Sequence, residues 1–166
     1  MEHQTELHTG EATEVTPIQH SGLLVDLRKL LEGMEKKRLD IENALAYTGG
    51  THTIDDLVGM VLQQRLTFWE LENSFFISEI LEYPREKHLH IFLAGGRFSE
   101  IIAMQGRMVQ LAKNLGCAKL TISGRPGWLK RLPTFGWKHH HSTMALDLGD
   151  PSWQAAAAKA ALKQPK

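Results

Sequence analysis

Residues 88–100 read HLHIFLAGGRFSE. Ile91, Phe92 and Leu93 are apolar in succession, the mark of a strand covered on both faces. A strand over His88–Ala94, interior to its sheet, is the expectation. Gly95 and Gly96 then turn the chain out of that strand. Ser99 suits a helix cap and Glu100 a helix's first turn. A strand, a glycine pair and a helix start can serve two ends. Free N–H groups and the helix dipole can hold a phosphate there, or the junction simply redirects the chain.

Downstream, Ser99–Leu115 reads as one long helix closed by Gly116. Ala118–Ser123 follows as a short strand, with Leu120 and Ile122 on one face. Gly127–Leu132 is a short helix before Pro133. His140–Leu148 alternates, with Met144, Leu146 and Leu148 on one side, and predicts a last strand. Ala155–Ala161 favours helix by propensity alone.

Upstream, Pro84–Lys87 is a turn, preceded by candidate strands Leu66–Leu71 and Phe75–Tyr83. The short Glu72–Asn73–Ser74 link makes these a hairpin. Thr53 and Asp56 resemble a capping box, opening a helix with Ile54, Leu57, Val58, Val61 and Leu62 on its buried face and ending near Gln64. Leu23, Leu27, Leu30, Met34, Ile41 and Leu45 form the apolar stripe of a helix over residues 23–46. Its Glu35–Arg38 run, EKKR, reads as solvated surface, and Gly49–Gly50 ends the segment. Helices between the later strands imply parallel pairing there, and the early hairpins imply antiparallel pairing. The fold class is therefore α/β (α+β), a mixed, mostly antiparallel sheet flanked by helices. Three regions are expected: residues 1–20 a mobile acidic arm, 21–149 one domain, and 150–166 an Ala-rich tail.

The totals suit one domain with a core: 166 residues, 42% hydrophobic. Lys and Arg number 19 and so do Asp and Glu, a balance that argues against nucleic acid as the main partner. The single cysteine, Cys117, excludes an internal disulfide and a cysteine metal cluster, and reads as a buried thiol. The first twenty residues carry Glu2, Glu6, Glu11 and Glu14 and no apolar run, so no signal peptide is expected. Nor is a membrane span expected.

Several groups are candidates for chemistry. Glu79 and Glu82 sit on opposite faces of the second strand, so one can face a cleft as a base. Asp147 has a similar place in the last strand. His88 and His90 share a strand face, and His139, His140 and His141 cluster before the last strand, but no further ligand completes a metal shell, and no metal is expected. Ser123-Gly124-Arg125 is a minimal anion-loop pattern. Trp128 and Trp137 flank a compact turn that they anchor.

The run of pieces LHIFLAGG, FSEIIAMQGRMVQLAKNLGC, AKLTISGR, GWLKRLPTFGW and HSTMALDL, residues 66–148 with their hairpin, resembles the N-acetyltransferase-like fold of the GNAT superfamily. The resemblance implies acetyl-CoA as cofactor, an amine as acceptor, and a pyrophosphate held at the junction. Onto this chain it carries Gly95, Gly96, Arg97 and Ser99 as the cofactor-binding residues if acyl-CoA is bound. It also exposes two departures. The family's glycines follow its Arg or Gln, whereas Gly95–Gly96 precede Arg97, and Glu100 occupies a glycine's place. The family's acid is a tyrosine four residues before the glycine of a Gly-aromatic pair, and counting back from Gly136–Trp137 reaches Leu132. The tyrosines of the chain are Tyr47 and Tyr83.

TGGTHTIDDL, ISEILEYPREKHLHIFLAGG and LTISGRPGW resemble more closely GNAT-like proteins of tailed phages and prophages, encoded among virion structural genes. That resemblance covers roughly residues 45–148. It implies a non-catalytic virion or assembly protein, made in the host cytoplasm and placed in the particle. No catalytic residue and no cofactor are then expected. Its partners would be other phage structural proteins, at a portal, tail or ejection apparatus, or further copies of itself. The alternative is an acyl-CoA-dependent N-acetyltransferase.

Overall fold

The computed structural model describes residues 18–161, with side chains from residue 26 onward. The expected acidic arm lies outside this range except for its last three positions. The chain divides into two compact units, up to Trp128 and from Leu129.

In the first unit, α1 (Ile18–Lys36), α2 (Arg38–Leu45) and α3 (Ile54–Leu62) precede the strands. The strands are β1 (Thr67–Glu70), β2 (Ser74–Glu82), β3 (Lys87–Gly96) and β4 (Lys119–Ile122), in the order β1-β2-β3-β4. β1 pairs β2 and β2 pairs β3 antiparallel, and β3 pairs β4 parallel. β3 is thus an interior strand, as its apolar run requires. Between β3 and β4 run α4 (Phe98–Ala103) and α5 (Gln105–Asn114), the crossover that a parallel pair needs.

The strand register sorts the side chains onto two faces. Phe75 and Ile77 lie with Phe68 and Leu93 on one face, and there they join Met34, Ile41, Leu45, Leu57 and Val61 from α1–α3 in the main core. The other face carries buried Phe76, Leu89, Ile91 and Ala94, and α4 and α5 supply buried Ile101, Met108 and Ala112. Midway, Ile77 pairs with Leu93 but Ser78 with Ile91, so Phe92 is an extra residue in β3. This bulge keeps Leu93 on the core face while His88 and His90 share that same face farther along the sheet.

Several local expectations are corrected. The segment 23–46 is two helices, broken at Lys37, which has φ −99° and ψ 9°. The break turns Lys37 inward: it is 6% exposed, and its Nζ donates to the Glu72 carbonyl at 2.7 Å. The EKKR run is therefore not all solvated surface, although Arg38 pairs outward with Glu35 at 2.8 Å. The long helix 99–115 is likewise two, divided at Met104, and its cap position is Arg97 rather than Ser99, which lies inside the first turn. Cys117 is half-buried rather than buried. The Thr53–Asp56 capping box forms as expected, with Asp56 Oδ2 accepting from the Thr53 N–H at 2.8 Å.

α6 (Pro126–Arg131) spans the point of division. In the second unit a 3-10 turn, Leu132–Phe135, ends at Gly136, and α7 (Ser152–Ala161) closes the described chain. The predicted strand His140–Leu148 does not form: these residues take no regular structure, and Met144, Leu146 and Leu148 are exposed. Alternation supplies a face but no ladder partner, and local bonds compete for the backbone. Asp147 Oδ1 accepts from the Gly149 N–H at 2.8 Å, making a turn of the end that alternation predicts as strand. Among the described residues no helix is long and apolar enough to cross a membrane.

Candidate functional site

Two places merit description as sites, one at the end of β3 and one along its middle. At the first, Gly95 and Gly96 lie opposite Phe75 and Ser74 in the ladder. Their lack of a side chain is explained by that pairing. A Cβ on Gly95 would stand 2.7 Å from Phe75 Cε1. Gly96 has φ +97°, and a Cβ there would stand 2.3 Å from the Asn73 carbonyl oxygen and 2.5 Å from Ser74 Cα. The glycines admit the hairpin, and Arg97 extends the contact: its N–H donates to Ser74 Oγ at 2.9 Å.

Glu100 completes the closure. Its Oε2 accepts from the Asn73 N–H at 2.9 Å and from Ser74 Oγ at 2.9 Å, and its Oε1 accepts from Asn73 Nδ2 at 2.8 Å. Ser74 is fully buried and its hydroxyl has one proton, which goes to the carboxylate rather than to the Arg97 carbonyl at 3.2 Å. Hydrogen bonds from the Asn73 side chain, then from its backbone, hold the Glu100 carboxyl below the usual carboxylate range. A negative charge is thus fixed where the resemblance expects a pyrophosphate, and it would repel one. The Arg97 and Ser99 side chains stand exposed beside it.

The second place is the polar continuation of the core face. Glu79 pairs with His90 across β2 and β3, and His90 with Thr121 across β3 and β4. His90 Nδ1 lies 2.8 Å from Thr121 Oγ1, and Ser123 Oγ lies 3.2 Å from His90 Nε2. Beside the bulge, the His52 ring meets Phe92 edge-on with centroids 5.0 Å apart. Glu79 is half-buried, and burial pushes its carboxyl up, against the opposing pull of Arg65 and His52. A carboxyl so placed keeps its proton to higher pH than an exposed one, and so can serve as a proton acceptor of raised basicity. Its folded-state value lies above the ordinary one, so its protonation favours folding in acid and that contribution is lost as pH rises through the raised value. Glu79→Gln is therefore expected to raise the melting temperature at pH 7 and to change it little at pH 4, as read by thermal melts at the two pH values.

Glu82, the other sequence candidate, faces away and pairs with Lys87 at 3.0 Å. His88 is buried and pairs with Glu86 at 2.7 Å, and Lys119 also donates to Glu86. Lys119, then His88, lowers the Glu86 carboxyl to about 2. Its contribution to stability is present above the ordinary glutamate value and is lost as pH falls toward 2. Glu86→Gln should narrow the gap between urea midpoints measured at pH 7 and pH 3.

Other candidates disperse. His139 bonds Ser142 at 3.0 Å and the rings of His140 and His141 lie 5.1 Å apart, all exposed. Among the described residues no group of His, Cys, Asp and Glu could hold a metal ion. The Ser123–Arg125 loop is engaged by aromatics: Trp128 packs against Gly124, and the Arg125 guanidinium lies 4.9 Å above the Tyr47 ring. Leu132, at the position of the family's tyrosine, is buried, and Gly136 ends its turn at φ +88°. Sequence reasoning missed His52 and the Ser123–His90 contact. The second would have required the parallel register of β3 and β4.

No family model and no curated protein matches the chain. Solved structures do. A probable acetyltransferase aligns at TM-score 0.55 and 9% identity, over 72% of this chain and 95% of its own. The aminoglycoside N-acetyltransferase AAC(6')-Iy, solved with CoA, aligns at TM-score 0.51 and 13% identity, over 72% of this chain and 89% of its own. At such identities the likeness establishes the fold: this is a GNAT-like, acetyltransferase-like architecture.

Proposed function

We propose that this chain is a contact protein, a phage virion or assembly component that keeps an acetyltransferase-like fold as scaffold and carries out no acyl transfer. The observation that supports it is the commitment of Glu100. Its carboxylate is bound by three donors of the β1–β2 hairpin at the junction where the fold's enzymes would need a cradle for phosphates. Leu132 adds that the common route of protonating the thiolate has no donor at its expected place. The phage setting is supported by the resemblance of residues 45–148. The partners are then other structural proteins of the particle, at the portal, tail or ejection apparatus, or further copies of the chain.

A second reading is favoured by Glu79. An acyl-CoA-dependent N-acetyltransferase needs a base to free the acceptor amine, and a half-buried carboxyl with a raised value, facing His90, suits that step. In that case Gly95, Gly96, Arg97 and Ser99 would hold acetyl-CoA, and transfer would rest on positioning, with water protonating the thiolate. The two readings separate on particles. Quantitative mass spectrometry of purified virions and assembly intermediates should find the chain at a fixed copy number. Its absence from both would contradict the contact reading.

A further inference from the structure

Between α1 and α3 lies a cleft of about 420 Å³ whose floor is Met34 and Ile54 and whose walls include Leu31 and Val58. Met34 and Ile54 are buried, Val58 is half-buried, and Leu31 is 39% exposed. Its rim is charged: Glu32, Glu35, Arg38 and Asp55. Arg38 is already satisfied, with Glu35 at 2.8 Å and Glu42 at 3.5 Å. Glu32 and Asp55 pair with no cation among the described residues. Asp55 in the first turn of α3 favours that helix's dipole, but the dipole gives no reason for Glu32 to stand across the cleft from it. The cleft is thus apolar below and negative above.

We propose that this cleft is a docking site for a short cationic amphipathic segment of another protein. An aliphatic side chain would enter between Leu31 and Val58, and a flanking Lys or Arg would reach Glu32 and Asp55. Charge complementarity calls for a cationic occupant. The chain's own N-terminal segment, residues 1–17, holds Glu2, Glu6, Glu11 and Glu14 and neither Lys nor Arg, so it has the wrong sign. The volume fits a few side chains of such a segment, not a folded domain. An amphipathic segment laid against an apolar groove and read by a few anchors is a common mode of recognition. The proposal deepens the contact reading and rests on it: it names the surface and the chemistry of the partner.

The test uses the full chain and a synthetic amphipathic peptide of Leu and Lys at helical spacing, with two controls in which Gln or Glu replaces Lys. Fluorescence anisotropy should show binding of the Lys peptide, weaker binding of the Gln peptide and none of the Glu peptide. Backbone amide NMR shifts should centre on Leu31, Glu32, Asp55 and Val58. The double variant E32Q/D55N should weaken binding about fivefold, the size expected of two exposed charge pairs. Glu72→Gln, a charge change elsewhere, should leave it unaltered. Equal weakening by Glu72→Gln, shifts centred elsewhere, or no binding of the Lys peptide would overturn the site. So would tighter binding after removal of residues 1–17, which would make the arm the occupant. Concentration-dependent dimerisation with the same NMR shifts would make a second copy the occupant and would overturn it too. None of these outcomes bears on whether the chain is found in particles, so the docking site and the contact reading can fail separately.

Discussion

Gly96→Val is expected to prevent folding or to cost more than about 3 kcal/mol, whether or not any ligand is present. Two effects act together. The backbone at Gly96 holds φ +97°, a region that a β-branched residue enters only with strain. The new Cβ would also stand 2.3 Å from the Asn73 carbonyl oxygen and 2.5 Å from Ser74 Cα. These are backbone and near-backbone atoms, locked by the β2–β3 ladder and by Glu100, so they cannot swing aside. The loss is a large share of the stability of an ordinary domain. The outcome discriminates between roles. A glycine that merely lets a phosphate approach would, when replaced, leave the free protein's thermal melt nearly unchanged. Here circular dichroism and a urea titration of the free protein should show the damage directly.

Phe75→Ala should cost about 3–5 kcal/mol, the usual range for emptying a large aromatic from a core. Phe75 is fully buried, stacks on Phe68 with centroids 6.3 Å apart, and fills the space over Gly95. The same geometry predicts a compensation. Gly95→Ala alone should destabilise, because its methyl would meet the Phe75 ring edge at 2.7 Å. In a Phe75→Leu background that space is partly vacated, and Gly95→Ala should cost less than in the wild type. A double-mutant cycle by urea denaturation reads this coupling as non-additivity. Additive effects would mean that Gly95 is not kept small by Phe75.

How much of this could be read from residues alone depends on how local each cause is. The capping box at Thr53 and Asp56 is complete within four residues, and it forms as expected. The strand 88–94 carries its own apolar run, and its interior place follows. The break at Lys37 is not local, because the side chain it turns inward meets the Glu72 carbonyl, which is remote in sequence. Glu100 was legible as a helix-start residue of the wrong charge for a phosphate, but its three donors in the hairpin depend on tertiary pairing. The failure at His140–Leu148 has the opposite origin. Its alternation is a true local signal, yet a strand exists only with a partner; no described strand pairs with these residues, and a turn takes the Asp147–Gly149 end.

The faces of the sheet show the same division. Parity alone places Glu79 and Glu82 on opposite faces, and the structure keeps them so. Which of them is half-buried, and beside which histidine, follows from the helices that cover one end of the face and leave the other polar. The bulge at Phe92 leaves no mark in the sequence: nothing in IFL distinguishes a regular strand from one carrying an extra residue.

The central claim is that the β3–α4 junction is closed by its own hairpin and not built for acyl-CoA. Isothermal calorimetry of the purified full chain with acetyl-CoA tests it most directly. The expected result is no saturable heat up to millimolar ligand, with the urea midpoint unchanged at the same concentration. Saturable binding in the micromolar range, weakened when Arg97 is replaced by alanine, would contradict it and would return Gly95, Gly96, Arg97 and Ser99 to service as a cofactor site.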